Sequence, residues 1–245
     1  MKKRVTISWS GGKDSAFALY KILLSGEYEV VGLHTTINAE TKRVGLHGIR
    51  EALIEQQSSA IGIPLTKLYL PSSQTNDAYE SVMKDFYRKC SRSEIDAVVF
   101  GDINLVDLRD YRENLLKPFR LEGIYPLWDL KTYNMIYDVV NAGFKTMVCS
   151  ADGKFFNASA LGKTIDETFI KTIPTGVDPC GENGEFHTFV YNGPIFKREV
   201  FFDKGEIVRR EYEMKKRSDD GIEVQSTVPF WFIDLILPSD TLPAI

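Results

Sequence analysis

Short apolar runs alternate with amphipathic stretches along the first hundred residues. A β-branched run over 4–9 stops at Ser10-Gly11-Gly12, the pattern of a strand closed by a turn. From Asp14, the apolar residues Ala16, Leu19, Tyr20 and Leu23 recur at helical spacing, and Gly26 stands where a helix C-cap belongs. The pattern then predicts a strand over 29–34, a helix over 49–61 closed by Gly62 and Pro64, and a strand over 65–70. A helix over 77–88 follows, with Tyr79, Val82, Met83 and Phe86 on one stripe, then a strand over 97–100 that runs into Gly101-Asp102. Strands alternating with helices of this length predict an α/β fold, a parallel sheet with helices on both faces. Ligands of such sheets bind beyond the carboxyl ends of the strands. Three predicted strands end there in reactive side chains or tight turns: Ser10-Gly11-Gly12, His34-Thr35-Thr36 and Gly101-Asp102.

Past Trp128 the texture changes. A helix over 132–142 and a strand over 145–149 precede the run GENGEFHT at 181–188, followed by alternating β segments at 197–202 and 207–212. This predicts a nucleotide-binding domain over 1–126 and a smaller α+β domain over 127–245. The charged run at 215–221 reads as a solvated turn. The aromatic run at 230–237 reads as a core strand, with an edge for homo-oligomerisation as the alternative.

Composition narrows the class. With 43% hydrophobic and 26% charged residues in 245, the chain is globular rather than disordered. A net charge of −4 argues against nucleic acid as a partner bound by charge alone. No run approaches the ~18 apolar residues of a membrane span. The five residues between Met-Lys-Lys-Arg and the Ser-Gly-Gly turn are too few for a signal-peptide core. Cys90, Cys149 and Cys180 are far apart and show no Cys-x-x-Cys spacing, so a reducing compartment is expected and a zinc or iron–sulfur site is not. A cytoplasmic protein without a membrane partner is the expectation.

The run Ser10-Gly11-Gly12-Lys13-Asp14-Ser15 carries the first chemistry. Two glycines let backbone N–H groups approach phosphate oxygens, and the helix start that follows favours an anion. Ser10 and Ser15 add hydroxyl donors, Lys13 adds a mobile cation, and Asp14 is a candidate magnesium contact. The spacing is neither that of a Walker loop nor that of a dinucleotide fingerprint. Arg109 and Arg112 are three apart on a predicted helix, so they share a face, with Glu113 beside them to orient one. Glu182, Glu185 and His187 lie in the glycine-rich run and are candidates to bind magnesium, receive a proton or grip a substrate. Cys180 reads as a small buried thiol, and His47 as a surface or hydrogen-bonded histidine.

SGGKDS at the first strand–helix junction resembles the pyrophosphate loop of the ATP pyrophosphatases, in the HUP-type, Rossmann-like adenine nucleotide α-hydrolase superfamily. The resemblance implies that Ser10, Gly11, Gly12, Lys13, Asp14 and Ser15 hold the phosphates of ATP, with His34, Thr35, Gly101 and Asp102 around the nucleotide. Two further segments narrow it: Gly101-Asp102-Ile103 with 107–113 and 125–128, and the run 176–188. In order along nearly the whole chain, they resemble the diphthine–ammonia ligase family. That resemblance implies adenylation of a carboxylate and its amidation by ammonia, with ATP and Mg2+ as cofactors and a modified translation elongation factor as acceptor. Lys13, Asp14, Glu182, Glu185 and His187 would then be catalytic, and Arg109, Arg112 and Glu113 would bind substrate. Eukaryotic and archaeal ligases carry Glu where His187 stands, so the chain looks like a bacterial branch whose acceptor is open. A nucleotide- or tRNA-modifying pyrophosphatase and a non-catalytic ATP-binding regulator are the alternatives. No spare domain supplies a glutaminase, so free ammonia or a separate donor protein is implied.

Overall fold

The computed structural model describes residues 1–71, 75–217 and 223–238. The alternation of the first half becomes β1 (Lys3–Ser8), α1 (Lys13–Ser25), β2 (Tyr28–Asn38), a small hairpin of β3 (Arg43–Val44) and β4 (Ile49–Arg50), α2 (Glu51–Ile61), β5 (Leu65–Leu70), α3 (Asn76–Arg92), β6 (Ala97–Val99), α4 (Val106–Leu116) and β7 (Glu122–Ile124). Five of these strands form a parallel sheet in the order β5-β2-β1-β6-β7. Both faces are covered, which is why β6 reads as a continuous apolar run and why Val5, Thr6 and Ile7 of β1 are all buried. Val5, Ile7, Leu33, Ile37 and Val99 pack with α1 and α2 on one face; Val98 and Phe100 pack with α3 and α4 on the other. Gly26 and Gly62 end α1 and α2 at φ 66 and 83, left-handed conformations that favour glycine.

The second half gives α5 (Thr132–Asn141), β8 (Lys145–Asp152), α6 (Glu167–Lys171), β9 (Phe186–Asn192), β10 (Asp203–Arg217) and β11 (Glu223–Ile236). Its four strands form an antiparallel sheet in the order β10-β11-β8-β9. Phe186, Phe189, Val190, Ile233 and Leu235 join the same buried cluster as α1 and α2, so one hydrophobic core runs through both halves.

Several expectations are corrected. β2 does not stop at His34 but continues to Asn38, because β5 pairs with it through Leu70; His34 and Thr35 are therefore mid-strand. Residues 197–202 are not a strand: Val200 N–H reaches the Tyr191 carbonyl singly, without a ladder. Phe186, His187 and Thr188 belong to β9 rather than to a loop, held by pairing with β8. The expected turn at 215–221 lies partly in β10 and otherwise outside the described residues. β11 lies between β10 and β8, so it offers no free sheet edge along the paired segment. The short β7 escaped the sequence reading, because three residues Glu-Gly-Ile carry no periodicity. Among the described residues no helix is long and apolar enough to cross a membrane.

Candidate active site

The chain winds outward from β1 through β2 to β5, then returns to place β6 on the other side of β1. That reversal opens a crevice at the carboxyl ends of β1 and β6, where doubly wound sheets bind ligands. The loop 10–15 leaves β1 there, and Gly101-Asp102 leaves β6 beside it. A Cβ on Gly101 would fall 2.8 Å from the Asp14 carbonyl carbon and 2.9 Å from the Ser15 nitrogen, so only glycine lets the two strand ends meet.

The loop itself is fastened by the second half of the chain. Gly11 adopts φ 81, its carbonyl accepting from Val190 N–H at 2.9 Å and from the Gln57 side-chain amide at 2.9 Å. Gln57 is fully buried; it also donates to the Val190 carbonyl at 2.6 Å and accepts from the Trp9 indole at 2.8 Å. Lys13 N–H donates to Thr188 Oγ1 at 3.0 Å. His47 Nδ1 lies 3.1 Å from the Thr188 carbonyl, which can only accept, so Nδ1 carries the proton and Nε2 the lone pair. A Cβ on Gly12 would meet His47 Cε1 at 2.7 Å, so the second loop glycine is required by this packing. The Ser10 and Ser15 hydroxyls stand 3.3 Å apart, and Gly12 brings no side chain to cap α1.

Lys13 is the centre. Its side chain is buried, Nζ donating to both carboxylate oxygens of Asp14 at 2.8 and 2.9 Å and to the Cys180 carbonyl. Burial opposes its charge, but Asp14, helped by Cys180 and Glu182, raises its pKa above the usual lysine value. Glu182 bridges from the other side: its Oε1 accepts from Ile103 N–H at 2.8 Å and Asn104 N–H at 3.1 Å. Burial lifts its carboxyl to about 7 despite those two donors, with Asp14 adding to the rise and Lys13 opposing it. Thus SGGKDS, the end of β6 and the run 180–188 meet at one polar junction.

The other predicted residues separate. Glu185 is buried and turned to its own loop, accepting from Asp178 N–H, Asn183 N–H and the Asn183 side chain, each at 3.0 Å. His187 faces His47, ring centroids 4.7 Å apart; burial first, then His47 and Lys13, hold its pKa well below normal. His34 points into the α3 side, 4.6 Å from the Phe86 ring, and burial with nearby Arg112 lowers it to about 3. Thr35, its neighbour along the strand, points to the opposite face and is buried. Arg112 does not stand free: Nε lies 2.6 Å from Asp102 and the guanidinium 4.3 Å from the Phe100 ring. Arg109 lies over Trp128 and Tyr125, at 4.5 and 4.9 Å. Glu113 abuts Gly123 and raises the Tyr125 hydroxyl pKa rather than orienting either arginine, although burial is the larger cause of that rise. Cys180 is buried, its thiol pushed up to about 12 by burial. Gln57 and Thr188 had escaped notice; the signal for Gln57 is a polar residue on the Leu53–Ile54–Ala60 stripe of α2.

The profile of the diphthamide synthase N-terminal domain matches residues 3–119, and that of the diphthamide synthase C-terminal domain matches residues 131–227. A diphthine–ammonia ligase of Homo sapiens is 25% identical over 236 residues, covering 84% of this chain and 85% of that protein. The Bos taurus diphthine–ammonia ligase is 24% identical with the same coverage. One from Schizosaccharomyces pombe is 26% identical over 81% of this chain and 36% of its own length.

Proposed function

Because the chain belongs to the diphthamide synthase family, its two domains matched in order, we propose that it is an ATP-dependent amide ligase. A carboxylate oxygen of the acceptor attacks the α phosphorus of ATP, and pyrophosphate leaves. Ammonia then attacks the acyl carbon of the adenylate, and AMP departs with the carboxylate oxygen. The relatives' name gives diphthine and ammonia as the groups those proteins join; the acceptor we assign is accordingly a diphthine carboxylate, carried on a modified translation elongation factor as the sequence resemblance implies.

The observation that carries this reading is the Lys13 junction, where one buried cation joins the phosphate loop to the Cys180–Glu182 turn. Two anions must approach for adenylation, and Lys13 with the Ser10 and Ser15 hydroxyls supplies positive charge and donors where they meet. Asp14 fits a magnesium ion carried in with ATP, since that ion takes one or two carboxylates and completes its shell with phosphates and water. Bound there, it would neutralise phosphate charge. Among the described residues no group of three or more His, Cys, Asp or Glu forms a metal cage of its own. Glu182, with a carboxyl near 7, is the group suited to take a proton from ammonium before it attacks. Glu185 acts by holding the 178–183 turn in shape, and His47 by holding Gly12 and Thr188.

Incubation with magnesium-ATP and ammonium, with and without the diphthine-bearing factor, tests the reading. AMP and pyrophosphate are expected only with the factor. AMP formed with cell extract but not with the factor would discard that acceptor; ATP bound and left intact throughout would make the protein a regulator.

A further inference from the structure

Four large apolar side chains stand exposed around the turn 180–185: Val106, Leu130, Tyr133 and Phe155. Each is tied to that turn through a short run of backbone. Val106 follows Ile103 and Asn104, whose N–H groups donate to Glu182 at 2.8 and 3.1 Å. Leu130 follows Asp129, whose N–H donates to the Ile103 carbonyl at 2.9 Å. Tyr133 follows Thr132, whose carbonyl accepts from the Cys180 thiol at 3.2 Å. Phe155 N–H donates to the Asp152 carbonyl at 3.1 Å, and Asp152 N–H to the Glu185 carbonyl at 2.8 Å. Single exposed apolar residues are ordinary on a protein surface, but several around one polar site mark a surface that another molecule covers.

The junction opens to solvent at this same turn. Lys13 is buried, whereas Asp14 and Glu182 beside it are half-buried. A carboxylate that reaches Lys13 therefore comes past the turn, on a side chain long enough to clear the apolar rim. One cation stands in that rim with its donors unspent. Arg109 makes no ion pair or hydrogen bond among the described residues. Its guanidinium lies 4.5 Å from the Trp128 ring and 4.9 Å from the Tyr125 ring. Those two rings meet at 69°, and Tyr125 is itself stacked on Phe100 at 5.4 Å, so the corner that holds Arg109 is fixed. Tryptophan, tyrosine and arginine among apolar neighbours are the side chains that anchor one protein on another.

We propose that this rim is the docking surface for a folded protein, the acceptor itself, which presents the reacting carboxylate on a protruding side chain. The partner sets apolar surface on Tyr133 and Phe155 and brings an acidic group to Arg109. This rests on the reading of the Lys13 junction as the adenylating site, and it adds where the protein around the reacting side chain is gripped.

The test is turnover of the diphthine-bearing factor with magnesium-ATP and ammonium, with KM for the factor measured in rim and off-rim variants. A double variant, Tyr133→Ser with Phe155→Ser, should raise that KM about tenfold or more with kcat little changed, the scale of truncating an interface anchor. Arg109→Gln should raise it too and flatten its dependence on salt, since the ion pair with the partner is lost. Leu24, at the other end of α1 from Lys13, and Phe201 are equally exposed but off the rim. Leu24→Ser and Phe201→Ser should leave the KM at its wild-type value. ATP binding should be retained throughout, which reports that each variant folds. Rim variants indistinguishable from wild type, or off-rim variants that raise the KM equally, would overturn the proposal and leave the ligase reading in place. Should the wild-type protein not turn over the factor, the same variants are run with the protein fraction of a cell extract and with its small-molecule filtrate. AMP from the protein fraction, with the same rim dependence, would keep the docking surface and discard the factor as acceptor. AMP from the filtrate would overturn the docking surface and keep adenylation, and AMP from neither would overturn both.

Discussion

Lys13 and Arg112 are both cations near the carboxyl end of the parallel sheet, and each is paired with a single carboxylate. Their surroundings differ. Arg112 lies against the Phe100 ring beside the small α3–α4 core, its charge matched by Asp102. Lys13 lies where loop, β6 end and β9 converge, sharing Asp14 with the reach of Glu182 and leaning on a backbone carbonyl. One cation closes a packed layer; the other is held at a junction of three segments that each bring polar groups. A buried positive charge alone does not mark a site, then, and what surrounds it does.

The largest effect expected from this contrast is at Lys13. Lys13→Met should keep the fold and lower AMP formation by about a thousandfold or more, read by product analysis, since it removes the positive charge where the anions meet. Unchanged turnover would put Lys13 in the same class as Arg112. Arg112→Met should act oppositely: about 3–5 kcal/mol lost in denaturant unfolding, because Asp102 is left buried without its partner. Adding Asp102→Leu to it should recover much of that loss, with the ATP KM little changed. Failure of the double variant to recover would assign the pair a role beyond packing.

A smaller effect is expected at Gln57. Gln57→Leu leaves the Gly11 and Val190 carbonyls without the amide that joins them, at about 1–3 kcal/mol. Its signature beyond stability is a raised ATP KM with kcat less affected, and Gln57→Glu should regain part of the binding at low pH, when the carboxylic acid can donate. The smallest is a change in pH profile. With Glu182 as the proposed base, amidation should fall as pH drops through about 7 and the carboxylate is protonated. Glu182→Gln should remove that acid limb, whereas Glu185→Gln should keep it and loosen the 178–183 turn instead.

The parallel sheet was legible because α1, α2 and α3 carry long apolar stripes and glycine or proline stops. β7 was not, being too short to show a period, and the extension of β2 to Asn38 depends on pairing with β5, which is non-local. Within the site, Lys13, Asp14 and Glu182 could be named from two motifs separated by more than 160 residues. Their meeting could not, since it is made by β9 crossing the loop. Helical spacing tells that Arg112 shares a face with Arg109 but not that Asp102, ten residues earlier, pairs with it. Gln57 donates to the Gly11 carbonyl of the loop and His47 packs on Gly12 while donating to the Thr188 carbonyl, and nothing in their local sequence announces such partners.

The most direct test of the junction as an adenylating site is oxygen tracing. The diphthine-bearing factor, labelled with oxygen-18 in its carboxylate, is turned over with magnesium-ATP and ammonium, and the nucleotide product is analysed by mass spectrometry. Attack of the carboxylate on the α phosphorus predicts one labelled oxygen in AMP and none in pyrophosphate. Unlabelled AMP would mean that water rather than the carboxylate reaches the phosphorus, and ADP in place of AMP would mean that the loop beside Lys13 directs cleavage elsewhere.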